Sequence, residues 1–185
     1  MTEVKNSLEQ VKEFMVTFKQ PVHSTPTVPN EALIKFRLKL ILEELTEIAR
    51  DCGASKEFSK LLIDKYIEVL THTTKLSLEG KEEIPNLKGI LDNLIDLRYV
   101  ADGMVHAFGL GSVHDLAFAD VHSANMAKVC SSEEEAMITL EKYKKEGIDT
   151  YWEQHGTNWL VYRTSDKKAL KSYKWKERDL SKYVQ

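Results

Sequence analysis

The chain has 185 residues, 42% hydrophobic and 30% charged, with eight glycines and four prolines, about half the usual combined share of roughly 12%; it is long enough for one domain with a buried core and too poor in chain breakers to be collagenous or linker-like. A net charge of −3 argues against a globally basic nucleic-acid binder, and no run approaches the roughly 18 apolar residues of a membrane span. The start MTEVKNSLEQ lacks a signal-peptide core, and Cys52 and Cys130 stand apart without a CxxC or paired histidines, so neither a disulfide framework nor a zinc site is expected and a cytoplasmic location, without a membrane partner, fits best.

From Glu3 to Phe18, the residues Val4, Leu8, Val11, Phe14, Met15 and Phe18 recur at spacings of three and four, which predicts an amphipathic helix. Gln20 to Pro29 holds three of the four prolines and reads as an extended arm. A second helix is expected from an Asn30 N-cap to Asp51, ending near Gly53. A third runs from Ser55 to about Leu78, and a fourth from Pro85 to Phe108 before Gly109 and Gly111. Ser112 with Asp115 three residues on resembles a capping box and announces a fifth helix through Lys128. Ser131 and Ser132 with Glu135 open a short charged helix that stops at Gly147. TNWLVYRT and ALKSYKW, either side of Ser165–Lys168, read as two short strands around a turn. The whole predicts a mainly α fold, a helical bundle with a small C-terminal β-hairpin. Residues 1–130 would form the helical catalytic domain, with 131–185 packed on it in a single compact unit.

The second helix carries an anomaly. At 100° per residue, Glu43, Glu44 and Glu47 fall on one stripe with Phe36, Leu40 and Leu33. Ile34, Leu38, Ile41, Leu45 and Ile48 occupy other sectors, so the helix is apolar almost all round and should be central in a bundle. An acidic triplet ordinarily marks a solvated face. Carboxylates held together among apolar residues instead repel and cost several kcal/mol unless a cation compensates, and a divalent metal can do so. On the fourth helix, Asp92, Asp96, Tyr99, Gly103 and His106 share a second stripe, separate from a core-like stripe of Ile90, Leu94, Leu97, Ala101, Met104 and Phe108. Asp92 and Asp96 taken alone could be exposed acids. Paired with the glutamates they would supply oxygen ligands of the kind Mg2+ prefers, with Mn2+ as the alternative.

EELTE at 43–47, followed by DNLIDLRYVADGMVHAFGL at 92–110, resembles the all-α nucleoside triphosphate pyrophosphohydrolase (MazG-like) superfamily, which includes MazG, dimeric dUTPases and phosphoribosyl-ATP pyrophosphohydrolase. FKQPVHSTPTVP at 18–29, FRLKLILEEL at 36–45, VHSANMAK at 121–128, DKKALKS at 166–172 and RDL at 178–180 are similar to a phosphoribosyl-ATP pyrophosphohydrolase-like subgroup. The resemblance implies that Glu44, Glu47 and Asp96 ligate Mg2+. Glu43 would act as ligand, neighbouring group or base, and Glu43 or Glu47 would take the proton from the attacking water. Asn93 stands three before Asp96, where the superfamily commonly has Glu, and Asp92 would substitute. Asn125 and Lys128 would bind the triphosphate, with Arg37 and Tyr99 as further candidate substrate contacts; Arg37 could equally bridge the acids. His106 and His122 could be packing histidines. The implied reaction converts a (d)NTP to a (d)NMP and pyrophosphate, with phosphoribosyl-ATP and dUTP as alternative substrates and a homodimer or dimer of dimers as the assembly.

Two other readings come from different classes. The acids could pair with Lys or Arg of a second subunit in a non-catalytic helical interaction module. Seven Lys or Arg between Arg163 and Arg178, interleaved with Tyr173 and Trp175, could touch nucleic acid, although a solvated hairpin face or a contact to substrate phosphates fits the acidic remainder better.

Overall fold

The computed structural model describes residues 6–53, 55–79 and 86–184. Among the described residues six helices precede one hairpin: α1 (Ser7–Thr17), α2 (Glu31–Asp51), α3 (Lys56–Glu79), α4 (Leu87–Ala107), α5 (His114–Met126), α6 (Glu133–Lys145), β1 (Thr150–His155) and β2 (Asn158–Arg163), with a 3-10 turn at Ser181–Tyr183. None of the described helices is long and apolar enough to cross a membrane.

Local chemistry sets the helix ends. Asn6 caps α1 through the Glu9 amide, and Glu9 returns a bond to the Asn6 amide, a reciprocal pair that satisfies two otherwise orphaned donors. The expected start at Glu3 lies outside the described residues, as does the expected Pro85 start of α4. Asn30 accepts from the Leu33 amide at 2.9 Å and opens α2. The chain leaves α2 through Gly53, whose φ of +66° is a left-handed conformation that glycine adopts without steric cost. The Ser112 cap is not used. Val113 is the N-cap of α5 and makes no side-chain bond there, and Asp115 lies beside His114 instead.

The hairpin also differs from expectation. TNWLVYRT does contain a strand, β2, but its partner lies upstream in TYWEQH, paired antiparallel from Thr150↔Arg163 to His155↔Asn158. The connection is the two-residue loop Gly156–Thr157, with Gly156 at φ +59°, and a left-handed glycine in the first central position suits the twist of adjoining strands. ALKSYKW contributes only a single bridge, Tyr162↔Ala169, on the opposite edge of β2, where Cys130↔Trp159 also bridges. The Ser165–Lys168 turn exists, clamped by Arg163, which donates to both carboxylate oxygens of Asp166 at 2.9 and 2.6 Å; that pairing holds the Asp166 carboxyl at about 2.

A two-stranded hairpin is marginal alone; here both faces are buried. Alternation along β2 directs Val161 and Trp159 into a cluster with Cys130, Ala136, Tyr143, Leu170 and Trp152, while Leu160 and Tyr162 face Phe14, Phe18, Val129 and Tyr151. The Tyr162 hydroxyl donates to the Phe18 carbonyl. Cys130 is buried and free, and Cys52 is exposed and free.

Tertiary contacts gather the chain into two compact units, Met1–Ser24 with Asp96–Gln185, and Thr25–Ile95. In the first of these units α1 packs on α5 and its end packs on the hairpin. In the Thr25–Ile95 unit, α2 buries no residue, contrary to a central position within the chain. Phe36, Leu38 and Leu45 of α2 are 40%, 56% and 52% exposed, and Leu61, Ile63, Leu91 and Leu94 are exposed as well.

The C-terminal segment is stitched to α6 by one carboxylate. Glu135, 5% exposed, accepts from the Ser131 amide at 3.1 Å and hydroxyl at 2.7 Å, from the Ser172 hydroxyl, and from the Lys174 ammonium at 3.4 Å. Burial pushes this carboxyl up, but the serine and lysine donors outweigh it and hold it at about 2. Its ordinary value is 4.5, so the ionised form contributes about 3 kcal/mol to folding that is fully present above pH 4.5 and is lost as pH falls through about 2. Thermal unfolding of Glu135→Gln should show a Tm well below wild type at pH 7, with the gap narrowing between pH 4.5 and 2.5; a constant gap would contradict this account.

Candidate active site

The candidate residues sit on three helices. On α2, Leu33, Arg37 and Leu40 form the half-buried stripe, and the same spacing of four and three residues continues to Glu44 and Glu47. Glu44 and Glu47 are exposed. Burial lowers the Arg37 guanidinium from its ordinary value, and Arg37 lies 5.8 Å from the Phe36 ring centroid. Glu43 takes an ion pair with Lys39 at 3.3 Å, an i,i+4 pair in the weaker order, with the lysine first.

Asp92 and Asp96 lie one turn apart on α4, both exposed, with Tyr99 at 79% exposure and His106 on the same stripe. Asp92 falls in the Thr25–Ile95 unit with the three glutamates, and Asp96 and Tyr99 fall in the other. Among the described residues, no group of three or more His, Cys, Asp or Glu is gathered closely enough to hold a metal ion. The acids are nevertheless an all-oxygen set, which suits Mg2+ and excludes the softer metals.

Asn125 and Lys128 are brought together. The Lys128 ammonium donates to Asn125 Oδ1 at 2.9 Å and lies 5.5 Å from the Phe14 ring centroid. Both line a cavity of about 390 Å³ with Lys171, Trp175, Glu177, Arg178 and Leu180. The resemblance singled out Asn125 and Lys128; the last five lie some 43 to 55 positions away in a segment without regular structure, signalled in sequence by its density of cations and by the motifs DKKALKS and RDL. His122 is a packing group, largely buried with Nε2 3.7 Å from Glu13.

The family model for phosphoribosyl-ATP pyrophosphohydrolase matches residues 11–125, which include EELTE, Asp92, Asp96 and Asn125. A crystal structure of "a putative NTP pyrophosphohydrolase" from Exiguobacterium sp. 255-15 is similar in fold, with a TM-score of 0.64, 23% identity, and coverage of 95% of this chain and 90% of the other. No protein of curated function matches the chain. The family match covers more than half of the chain and runs from α1 through nearly all of α5, so the chain belongs to the phosphoribosyl-ATP pyrophosphohydrolase family, within the MazG-like all-α superfamily of hydrolases acting on nucleotide pyrophosphate bonds.

Proposed function

We propose that this enzyme is a Mg2+-dependent nucleoside triphosphate pyrophosphohydrolase, converting (d)NTP to (d)NMP and pyrophosphate and serving to cleanse the nucleotide pool. The observation that carries the reading is the coincidence of the family match with two carboxylate stripes, on α2 and α4. Glu43, Glu44, Glu47, Asp92 and Asp96 are the proposed oxygen donors to Mg2+ or Mn2+. When bound, the ion would neutralise phosphate oxygens and make the attacking water more acidic. Glu47 or Glu43 takes the proton from that water as its oxygen bonds to the α-phosphorus and the bond to the bridging oxygen breaks, releasing pyrophosphate. Arg37, Tyr99, Asn125 and Lys128 hold the substrate. The family's own description favours phosphoribosyl-ATP as a second substrate candidate, and dUTP completes the panel.

Pyrophosphate release from the (d)NTPs, dUTP and phosphoribosyl-ATP in the presence of Mg2+ tests the reading. Glu44→Gln and Glu47→Gln should each lower kcat by a hundredfold or more, about 3 kcal/mol of transition-state stabilisation, and should abolish any Mg2+-dependent rise in Tm while leaving helicity intact. Full activity in both variants would remove the carboxylates from the mechanism, and a carboxylate cluster paired with a second subunit's cations would leave an inactive protein with no Mg2+ effect on Tm.

The assembly belongs to the same proposal. Exposed Phe36, Leu38, Leu45, Leu61, Ile63, Leu91 and Leu94 exceed the scattered apolar residues of an ordinary monomer surface, and a second copy presenting the same faces would cover them. Light scattering across a dilution series should give at least twice the 21.2 kDa chain mass. A steady monomer with full activity would overturn the homodimer.

A further inference from the structure

We propose that the C-terminal segment 171–180 builds a polyphosphate pocket at the end of α5, with Lys171 and Arg178 as phosphate-binding residues beside Lys128. This rests on the reading of the protein as a nucleotide hydrolase and assigns phosphate contacts to residues outside the matched family region.

The pocket is a built feature. The Trp175 indole donates to the Ala124 carbonyl at 2.8 Å. Farther along, the Tyr183 hydroxyl donates to Asp120 at 2.9 Å and Lys182 pairs with Asp120 at 2.7 Å. Asp120 and Ala124 are one turn apart on α5, with Lys128 just past its end, so the segment follows one face of that helix and is pinned twice along it. At its other end the Tyr143 hydroxyl donates to the Lys171 carbonyl at 3.0 Å, and the Tyr173 amide donates to Thr139 Oγ1 at 3.1 Å. The backbone that carries Lys171 and Arg178 is therefore fixed before any ligand arrives.

Charge names the ligand class. Lys128, Lys171 and Arg178 line about 390 Å³ with one acid, Glu177, an excess of positive charge whose mutual repulsion a polyanion would relieve. The Lys171 ammonium stands 3.6 Å from the Trp175 ring centroid, which limits its freedom and aims it at the cavity wall. Asn125 adds an amide, while Trp175 and Leu180 supply apolar wall, the mixture expected of a small-molecule site. A nucleic-acid strand would need open aromatic faces for stacking. Here one face of Trp175 is covered by Lys171 and its N–H is already bonded, which favours a short polyphosphate over a strand.

Calorimetric titration of the full chain with sodium pyrophosphate in EDTA tests the pocket without metal or turnover. Wild type should bind pyrophosphate more tightly than orthophosphate. Lys171→Gln with Arg178→Gln, both at exposed positions, should weaken pyrophosphate at least about tenfold, and Lys176→Gln, outside the pocket, should not. No binding of pyrophosphate at millimolar concentration, an unchanged affinity in the double variant, or an equal loss in Lys176→Gln would overturn the proposal. Hydrolysis supplies the second arm: the double variant should raise KM for the nucleotide, and an unchanged KM would show that the pocket does not hold substrate phosphates. An inactive wild type that still binds pyrophosphate through Lys171 and Arg178 would overturn the enzymatic reading instead.

Discussion

The Met1–Ser24 and Asp96–Gln185 unit depends on a buried carboxylate that is worth burying only because it is fully engaged. Glu135 sits in the first turn of α6, where the helix dipole favours an anion, and its oxygens receive Ser131, Ser172 and Lys174. Leaving such a carboxylate unpaired would cost several kcal/mol. Its partners come from both sides of the hairpin in sequence, so the same bonds that satisfy the charge also decide where residues 171–174 lie. The side chains of Thr139 and Tyr143, one and two turns further along α6, take up the adjoining backbone. The position of Trp175 against α5, and with it the shape of the cavity at Asn125 and Lys128, follows from this anchoring.

The Thr25–Ile95 unit is governed by a different constraint. Its helices are as rich in Leu and Ile as any core helix, yet α2 buries none of them within the chain. A helix apolar around most of its circumference can leave water only where several surfaces surround it. The half-buried stripe of Leu33, Arg37 and Leu40 shows which side the chain itself covers, and Glu44 and Glu47 continue that stripe. Both are exposed there, so the proposal that they ligate a metal rests on the resemblance and the family match rather than on burial.

Much of the fold was legible because it is written in local chemistry. Asn30 and Ser132 cap their helices as their sequence positions imply, and the four- and three-residue periodicity located α1 to α4 to within a few residues of their observed ends. The hairpin was displaced by one strand for a reason that is also physical. NWLVYR contains a continuous apolar run, whereas TYWEQH carries Glu153, Gln154 and His155 and gives the weaker strand signal, although Trp152 and Tyr151 pack into the two clusters; the Gly156–Thr157 turn is also shorter than the polar Ser165–Lys168 stretch that drew the strand boundary. The central position expected for α2 failed because wheel geometry reports how much surface needs covering, not whether the same chain supplies the cover. Of the candidate site, the carboxylates and the Asn125–Lys128 pair could be read from spacing and resemblance. The basic segment holding Lys171, Trp175 and Arg178 was visible as charge and as family-like motifs, but its approach to α5 was not, since that depends on hydrogen bonds between side chains and backbone many residues away.

The family match ends at residue 125, within α5, yet besides α1 the contacts at the end of α5 come from later residues. Lys128 lies past the last turn, the Cys130 backbone is bridged to Trp159, and Asp120 and Ala124 are engaged by Tyr183 and Trp175. Removing the extension would expose Phe14 and Phe18, which pack on the hairpin, and release the helix end that carries Asn125. The extension is therefore part of the architecture that presents this face of α5, and its sequence is where the environment of a ligand bound there can be altered without disturbing the carboxylate stripes. In physical terms the two sets of groups are separable: the acids on α2 and α4 supply negative charge on regular helix faces, whereas Lys128, Lys171 and Arg178 supply positive charge on backbone held in place by Glu135, Trp175 and Tyr183.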